Sequence, residues 1–199
     1  MFTSRDSDLG YDPTITALPS TTGVVRRYDI TVHSENGETH AYRTIELLGN
    51  SGGRHLLGRG TRVWKAVRVV NGEEVGEPVA LKDVWVDDHR QREGHIYNCV
   101  STSAASLNLQ KDLQSATLTV LAHGDVIVNG IRDSRLMCYL TSSPSAAVTA
   151  YELGASTTKP RIAKTQVHYR IVFKEIGTPI SRITAPTQVF NALRHACIG

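Results

Sequence analysis

Two glycines, a lysine and a glutamate, in that order between Leu57 and Glu93, are the residues best suited to chemistry in this sequence. Gly58 and Gly60 form a G-x-G between stretches of strand composition. Glycines in a turn let the backbone approach phosphate oxygens with its N–H groups exposed. Lys82 closes the tetrapeptide Val79-Ala80-Leu81-Lys82, and a lysine at a strand end can set a point charge against such phosphates. Glu93 is the one glutamate between Lys82 and Glu152. A carboxylate on a following helix can hold the lysine in place and keep it charged. Taken singly, these features read as a hairpin turn, a solvated strand end and a surface charge. The ordered set is much more specific than its parts.

The surrounding elements must position that set. Val24 to His33 alternates from Tyr28 onward and reads as a strand. Asn36-Gly37 is a hairpin signal, and Ala41 to Leu48 reads as the returning strand. Asn50 to Gly53 is a flexible break. Val63 to Val70 has strand composition. Asn71-Gly72 opens a polar turn that runs to Pro78, and Val79 to Lys82 is a short strand ending in the lysine. Val86 to Val100 reads as a short helix, with Asp87 or Asp88 in its first turn and Gly94 in its middle. Ser101 to Ser106 reads as loop. Leu118 to Val128, broken at His123-Gly124-Asp125, and Arg135 to Leu140 are strand material. Gln166 to Phe173 alternates as a strand. Val189, Phe190, Leu193, Ala196 and Cys197 share one face of a helix that Pro186 can start. Strands, a helix, strands and a helix make an α+β fold with a mostly antiparallel sheet.

Composition sets the outer limits. The chain has 199 residues, 40% hydrophobic and 21% charged, which fits one globular domain and excludes wholesale disorder. A net charge of +3 from scattered residues points to no nucleic-acid partner. The pair Arg90 and Arg92 reads as a solvated face. No apolar run is long enough for a membrane span, and the first residues have no secretory pattern. Cys99, Cys138 and Cys197 are odd in number and far apart, which argues for a reducing, intracellular setting, cytoplasmic or nuclear. His89, Glu93, His95 and Cys99 have ligand chemistry, but on a helix 89 and 93 share one face and 95 and 99 another, so no single metal site is expected. Residues 1–22 are polar and turn-rich and read as a mobile lead-in. Residues 141–160 read as a Ser/Thr/Ala-rich insertion.

Three stretches, LLGRGTRVWKAVRV, VALKDVWVDDHRQREGHI and HYRIVFKEIGTPISRITAPTQVFNALRHACIG, resemble a protein kinase domain of the fungal type. The resemblance covers residues 54–199 and leaves 1–50 as an N-terminal extension of unknown role. It implies a kinase N-lobe, a mostly antiparallel sheet with one αC-type helix, followed by a hinge and the first helix of the helical C-lobe. It implies ATP and Mg as cofactors and transfer of the γ-phosphate to protein Ser/Thr hydroxyls. Gly58 and Gly60 match the first two glycines of the glycine-rich loop. Val63 stands either at the third glycine's place or at the valine beyond the loop. Ala80 and Lys82 belong to the lysine strand, and Glu93 matches the lysine's ion-pair partner. Lys174-Glu175-Ile176 matches the hinge, with Val172 or Phe173 behind the adenine pocket. The sequence contains neither a His-Arg-Asp catalytic loop nor Asp-Phe-Gly. The expectation is therefore a partial kinase domain, inactive alone and needing a C-lobe to act on a protein substrate. The other reading is a non-catalytic, pseudokinase-like nucleotide-binding or interaction module.

Overall fold

Strand side chains point to opposite faces in turn, so alternating apolar residues give a sheet two different faces. The computed structural model describes residues 12–19, 26–51, 60–140, 161–178 and 182–198. Its elements run β1 (Ile15–Ala17), β2 (Tyr28–His33), β3 (Thr39–Asn50), β4 (Arg62–Val70), β5 (Glu73–Asp87), α1 (Glu93–Ser106), α2 (Gln110–Ala116), β6 (Val120–Asp125), β7 (Ile127–Val128), β8 (Ile131–Arg132), β9 (Ser134–Leu140), β10 (Arg161–Phe173) and α3 (Pro186–Ile198). One antiparallel sheet has the order β1-β2-β3-β4-β5-β10-β6, with β9 also paired to β10, while β7 and β8 form a separate hairpin.

Several elements differ from the sequence reading, each for a local reason. The polar turn expected from Asn71 to Pro78 is a tight two-residue turn. Asn71 and Gly72 both take positive φ, 52° and 87°, which matches the twist of the flanking strands. β5 therefore starts at Glu73, with a register shift before Val79 that takes up Gly76 and Pro78. The strand does not end at Lys82. Asp83 to Asp87 continue it, because they pair with Gln166 to Arg170 of β10. Val86 and Asp87 are thus strand, and the helix starts at Glu93, which supplies its first-turn acid instead of Asp87 or Asp88. The helix also takes in Ser101 to Ser106, where Ala104 is buried. The sequence reading did not foresee α2. The stretch 141–160 lies outside the described residues. Of the expected lead-in, Ile15–Ala17 form a strand of the sheet, which strands from residues 15–50 and 62–173 share.

The inner face gathers Ile30, Val32, Tyr42, Ala66, Val79, Leu81, Ala122 and Val172. The outer face gathers Ala80, Val84, Tyr169, Ile171 and Phe173, with Tyr97 of α1 packed on them. The sheet curls until β2 meets β6. A Cβ on Gly124 would lie 2.1 Å from the His33 carbonyl oxygen, so only glycine allows this approach.

The inner face also buries charge. Arg170, fully buried, donates from Nε to Asp83 Oδ1 (3.0 Å), from Nη2 to Asp12 Oδ2 (2.5 Å), and from Nη1 to Thr14 Oγ1 (2.7 Å) and the Thr31 carbonyl (2.6 Å). Arg62 reaches Asp83 Oδ2 from the other side at 2.5 Å. Buried charges persist when they are paired and hydrogen-bonded in this way. The cluster fastens residues 12–14 to β2, β5 and β10.

His168 completes the cluster and sets a pH dependence. Its Nε2 lies 2.6 Å from Asp83 Oδ1 and its Nδ1 2.9 Å from Asp133 Oδ2. Only the imidazolium carries a proton on both nitrogens. Burial favours the neutral ring, but hydrogen bonds to Asp133 and Asp83 outweigh it and hold the pKa above the ordinary 6.5. Burial pushes His33 and His123 below 6.5, aided by the charge of Arg170 at His33 and by His95 at His123, where Glu35 opposes it. A raised folded-state pKa contributes stability that is full below 6.5 and is lost as pH rises through the folded value. A lowered one contributes stability present above 6.5 and lost as pH falls through the folded value. Stability is expected to peak near pH 6.5, and His168→Gln should flatten only the alkaline limb. Urea midpoints between about pH 5 and 9 read this; an alkaline limb unchanged in His168→Gln overturns it.

Candidate functional site

Lys82 stands on the outer face of β5. Val63 of β4 and Ile171 of β10 lie directly opposite it, and Ala80 lies opposite Phe173. These apolar residues flank the lysine on the same face of the sheet. Lys82 Nζ donates to Glu93 Oε2 at 2.6 Å, with the two side chains 29% and 36% exposed. At that exposure the pair adds under about 1 kcal/mol to stability. Its effect is geometric, since it fixes one position for a flexible four-carbon stem.

The position of Glu93 depends on a series of contacts at the start of α1. Arg92, read from sequence as part of a solvated face, is buried. Its Nε and Nη2 bind the Asp125 carboxylate at 2.7 and 3.2 Å, and its Nη1 donates to the Arg90 carbonyl at 2.9 Å. This ties the β5–α1 turn to β6. The first N–H groups of a helix have no partner within it; that of Gly94 donates to the Tyr169 hydroxyl at 2.9 Å. A side chain 75 residues away thus acts as the cap. Burial, first of all, pushes the Tyr169 phenol pKa far above its usual value, so the hydroxyl stays neutral. A Cβ on Gly94 would lie 2.2 Å from the His123 ring. The glycine in mid-motif is therefore a close approach. Tyr97 meets Phe173 edge-on at 5.6 Å, one turn further along.

A family model described as fungal protein kinase matches residues 1–199, the whole chain. The chain belongs to the fungal protein kinase family. No curated protein and no solved structure matches it.

The family places this sheet among kinase-like domains. The match begins at residue 1, so residues 1–50 lie inside it. Gly58 lies outside the described residues. Gly60 has φ +55° and stands just ahead of β4. The structure brings Val63, Ala80, Lys82 and Glu93 together. Val172 is not with them: it is buried on the inner face with Leu81, because its neighbour Phe173 takes the outer face. Of the two residues considered for the back of the pocket, Phe173 alone shares the face of Lys82. Lys174, Glu175 and Ile176 follow β10 in exposed positions. The Lys174 N–H is committed to the Thr119 carbonyl at 2.9 Å. The Glu175 carboxylate accepts from Thr119 N and Oγ1, both at 2.8 Å. Slight burial opposes ionisation there, and the Thr119 bonds overcome it, so Glu175 titrates below the usual carboxylate range.

Protein kinases use ATP and Mg²⁺. The lysine face fits an anionic phosphate. Among the described residues no three His, Cys, Asp or Glu side chains converge to hold a metal ion. No described helix is long and apolar enough to cross a membrane. A cavity of about 1510 Å³ opens on the inner side, lined in part by Tyr28, Arg62, Trp64, Trp85, Arg135 and His168; of the described residues of the set, Gly60, Lys82 and Glu93 do not line it. Sequence reasoning missed Arg92, His123 and Tyr169. Gly94 was the only hint of them, since a lone glycine in a helix marks a close neighbour.

Proposed function

We propose that the outer face around Lys82 binds the phosphates of ATP and serves as the nucleotide-positioning half of a protein kinase. The 2.6 Å Lys82–Glu93 contact carries this reading, because it presents an ammonium on an apolar face beside the strand that follows Gly60. Lys82 supplies charge to the phosphates and Glu93 orients it. Gly58, Gly60 and Val63 border the phosphates, Ala80 and Phe173 border the base, and the backbone of Lys174, Glu175 and Ile176 is the hinge. α1 takes the part of the αC helix and α3 that of the first C-lobe helix. In a domain that also held the base and the metal-binding motifs, bound ATP and Mg²⁺ would supply a γ-phosphoryl group for transfer to a protein Ser or Thr hydroxyl. Kinase catalysis rests on positioning and charge neutralisation. The base and the metal-binding residues belong to motifs that these 199 residues do not contain. The chain by itself therefore binds nucleotide without transferring phosphate.

Calorimetric titration of the 199-residue chain with ATP tests this. Lys82→Met should weaken binding about tenfold, from loss of a charge-assisted bond of roughly 1.5 kcal/mol. Glu93→Gln should have little further effect in the Lys82→Met background, since the two act as a unit. Absence of ATP binding, or strictly additive effects, overturns the assignment. Phosphate transfer to a generic protein substrate that Lys82→Met abolishes overturns the claim of inactivity.

A further inference from the structure

We infer that Glu35, on the turn between β2 and β3, is a positioning residue that braces α1 on the sheet and thereby sets the Lys82–Glu93 pair. The inference rests on reading that pair as the nucleotide site. Nothing in the glycine-lysine-glutamate pattern involves residue 35; the brace comes from how the sheet closes.

The turn is seated on β6 before any side chain acts. The Glu35 N–H donates to the His123 carbonyl at 3.2 Å, and Gly124 leaves room for the His33 carbonyl directly above it. This puts the Glu35 carboxylate between a buried histidine on the sheet and an exposed histidine on the helix. Glu35 Oε1 is 2.9 Å from His95 Nε2 and 3.6 Å from His123 Nδ1. His95 follows Gly94, so this contact acts on the helix's first turn.

His123 is the post against which both sides rest. Its ring packs where a Gly94 side chain would be, and its Nε2 lies 3.2 Å from Asn98 Nδ2 on the next turn of α1. The Asn98 amide nitrogen has only hydrogens to offer, so it donates to Nε2 and leaves the ring proton on Nδ1. That N–H is buried without a hydrogen-bond partner, and the nearest anionic oxygen is that of Glu35. A buried donor facing a carboxylate slightly beyond bonding distance favours a shift that draws the turn toward β6. Glu35 thus holds the sheet and the helix at once, and Glu93 is two residues from its helical contact.

The 199-residue chain is compared with Glu35→Ala and Glu35→Gln by hydrogen exchange and by ATP titration. Glu35→Ala should speed exchange of the α1 amides from Ile96 to Val100 about threefold, as for loss of a partly exposed ionic contact, and leave β5 and β10 unchanged. It should weaken ATP binding about threefold and shift Tm by less than about 2 °C. Glu35→Gln keeps an acceptor for both rings and should restore both values to within about 1.5-fold of wild type. In a Glu93→Gln background, Glu35→Ala should leave ATP affinity unchanged, because its effect passes through Glu93. Unaltered α1 exchange in Glu35→Ala overturns the brace, as does an undiminished ATP effect in the Glu93→Gln background. If the wild type binds no ATP, the nucleotide reading fails, while α1 exchange still decides whether Glu35 holds the helix.

Discussion

Arg170→Leu is expected to remove about 3–5 kcal/mol of folding stability, the usual cost of breaking a buried ion pair from one side. Asp83 and Asp12 would keep their charges, with Asp83 only 1% exposed, and lose the cation that faces both. Arg62 and His168 would still serve Asp83, which keeps the figure within that range. Total stability of a domain this size is of order 5–15 kcal/mol, so the variant sits near the edge of folding. Urea unfolding should show a large fall in midpoint with an unchanged slope. Limited proteolysis should open first near Asp12, because Arg170 binds that segment through both Asp12 and Thr14. Arg170→Lys separates charge from geometry. One ammonium cannot make four bonds in four directions, so it should recover less than half of the loss. A cost under about 1 kcal/mol for Arg170→Leu means the cluster behaves as a solvated surface network.

Gly94→Ala sets two effects against each other. Alanine is the better helix former by about 1 kcal/mol, so propensity alone predicts a gain. Its Cβ, however, would lie 2.2–2.4 Å from three atoms of the His123 ring. That ring is buried and cannot turn aside without leaving Asn98 and Glu35. Overpacking of this kind costs about 1–3 kcal/mol, and a contact this short belongs at the upper end. The net expectation is destabilisation by about 2 kcal/mol. The lift of the helix start should also draw Glu93 away from Lys82, so that, on the nucleotide-binding role proposed for this pair, ATP affinity should fall along with stability. Adding His123→Ala makes room, and the double variant should be at least 1 kcal/mol better than the sum of the singles. Stabilisation by Gly94→Ala would show that α1 is not seated on His123.

The chemistry-bearing residues were legible in the sequence because they are local. The order of Gly58, Gly60, Val79 to Lys82 and Glu93 needs no knowledge of the fold. Alternation over Tyr28 to His33 and Gln166 to Phe173 reported strands for the same reason. Element ends were less legible. Val86 and Asp87 look suited to a helix start, yet partners on β10 hold them in a strand. Such a partner, Val167 for Val86 and Gln166 for Asp87, is far away in the chain and has no local signature. Val172 and Phe173 look equally apt for a pocket. The register against Leu81 and Ala80 puts them on opposite faces.

Residue type and spacing by themselves determined that this chain carries a phosphate-suited lysine with a single candidate glutamate, on an antiparallel α+β frame. Tertiary structure alone decided that Glu93 reaches that lysine. It does so through Arg92 on Asp125, Tyr169 on the Gly94 N–H, and His123 beneath Gly94. It also decided that Asp12, Asp83, His168 and Arg170 form one buried cluster. Each of these contacts joins residues dozens of positions apart. Sequence periodicity records which way a side chain faces, whereas sheet closure decides what it meets.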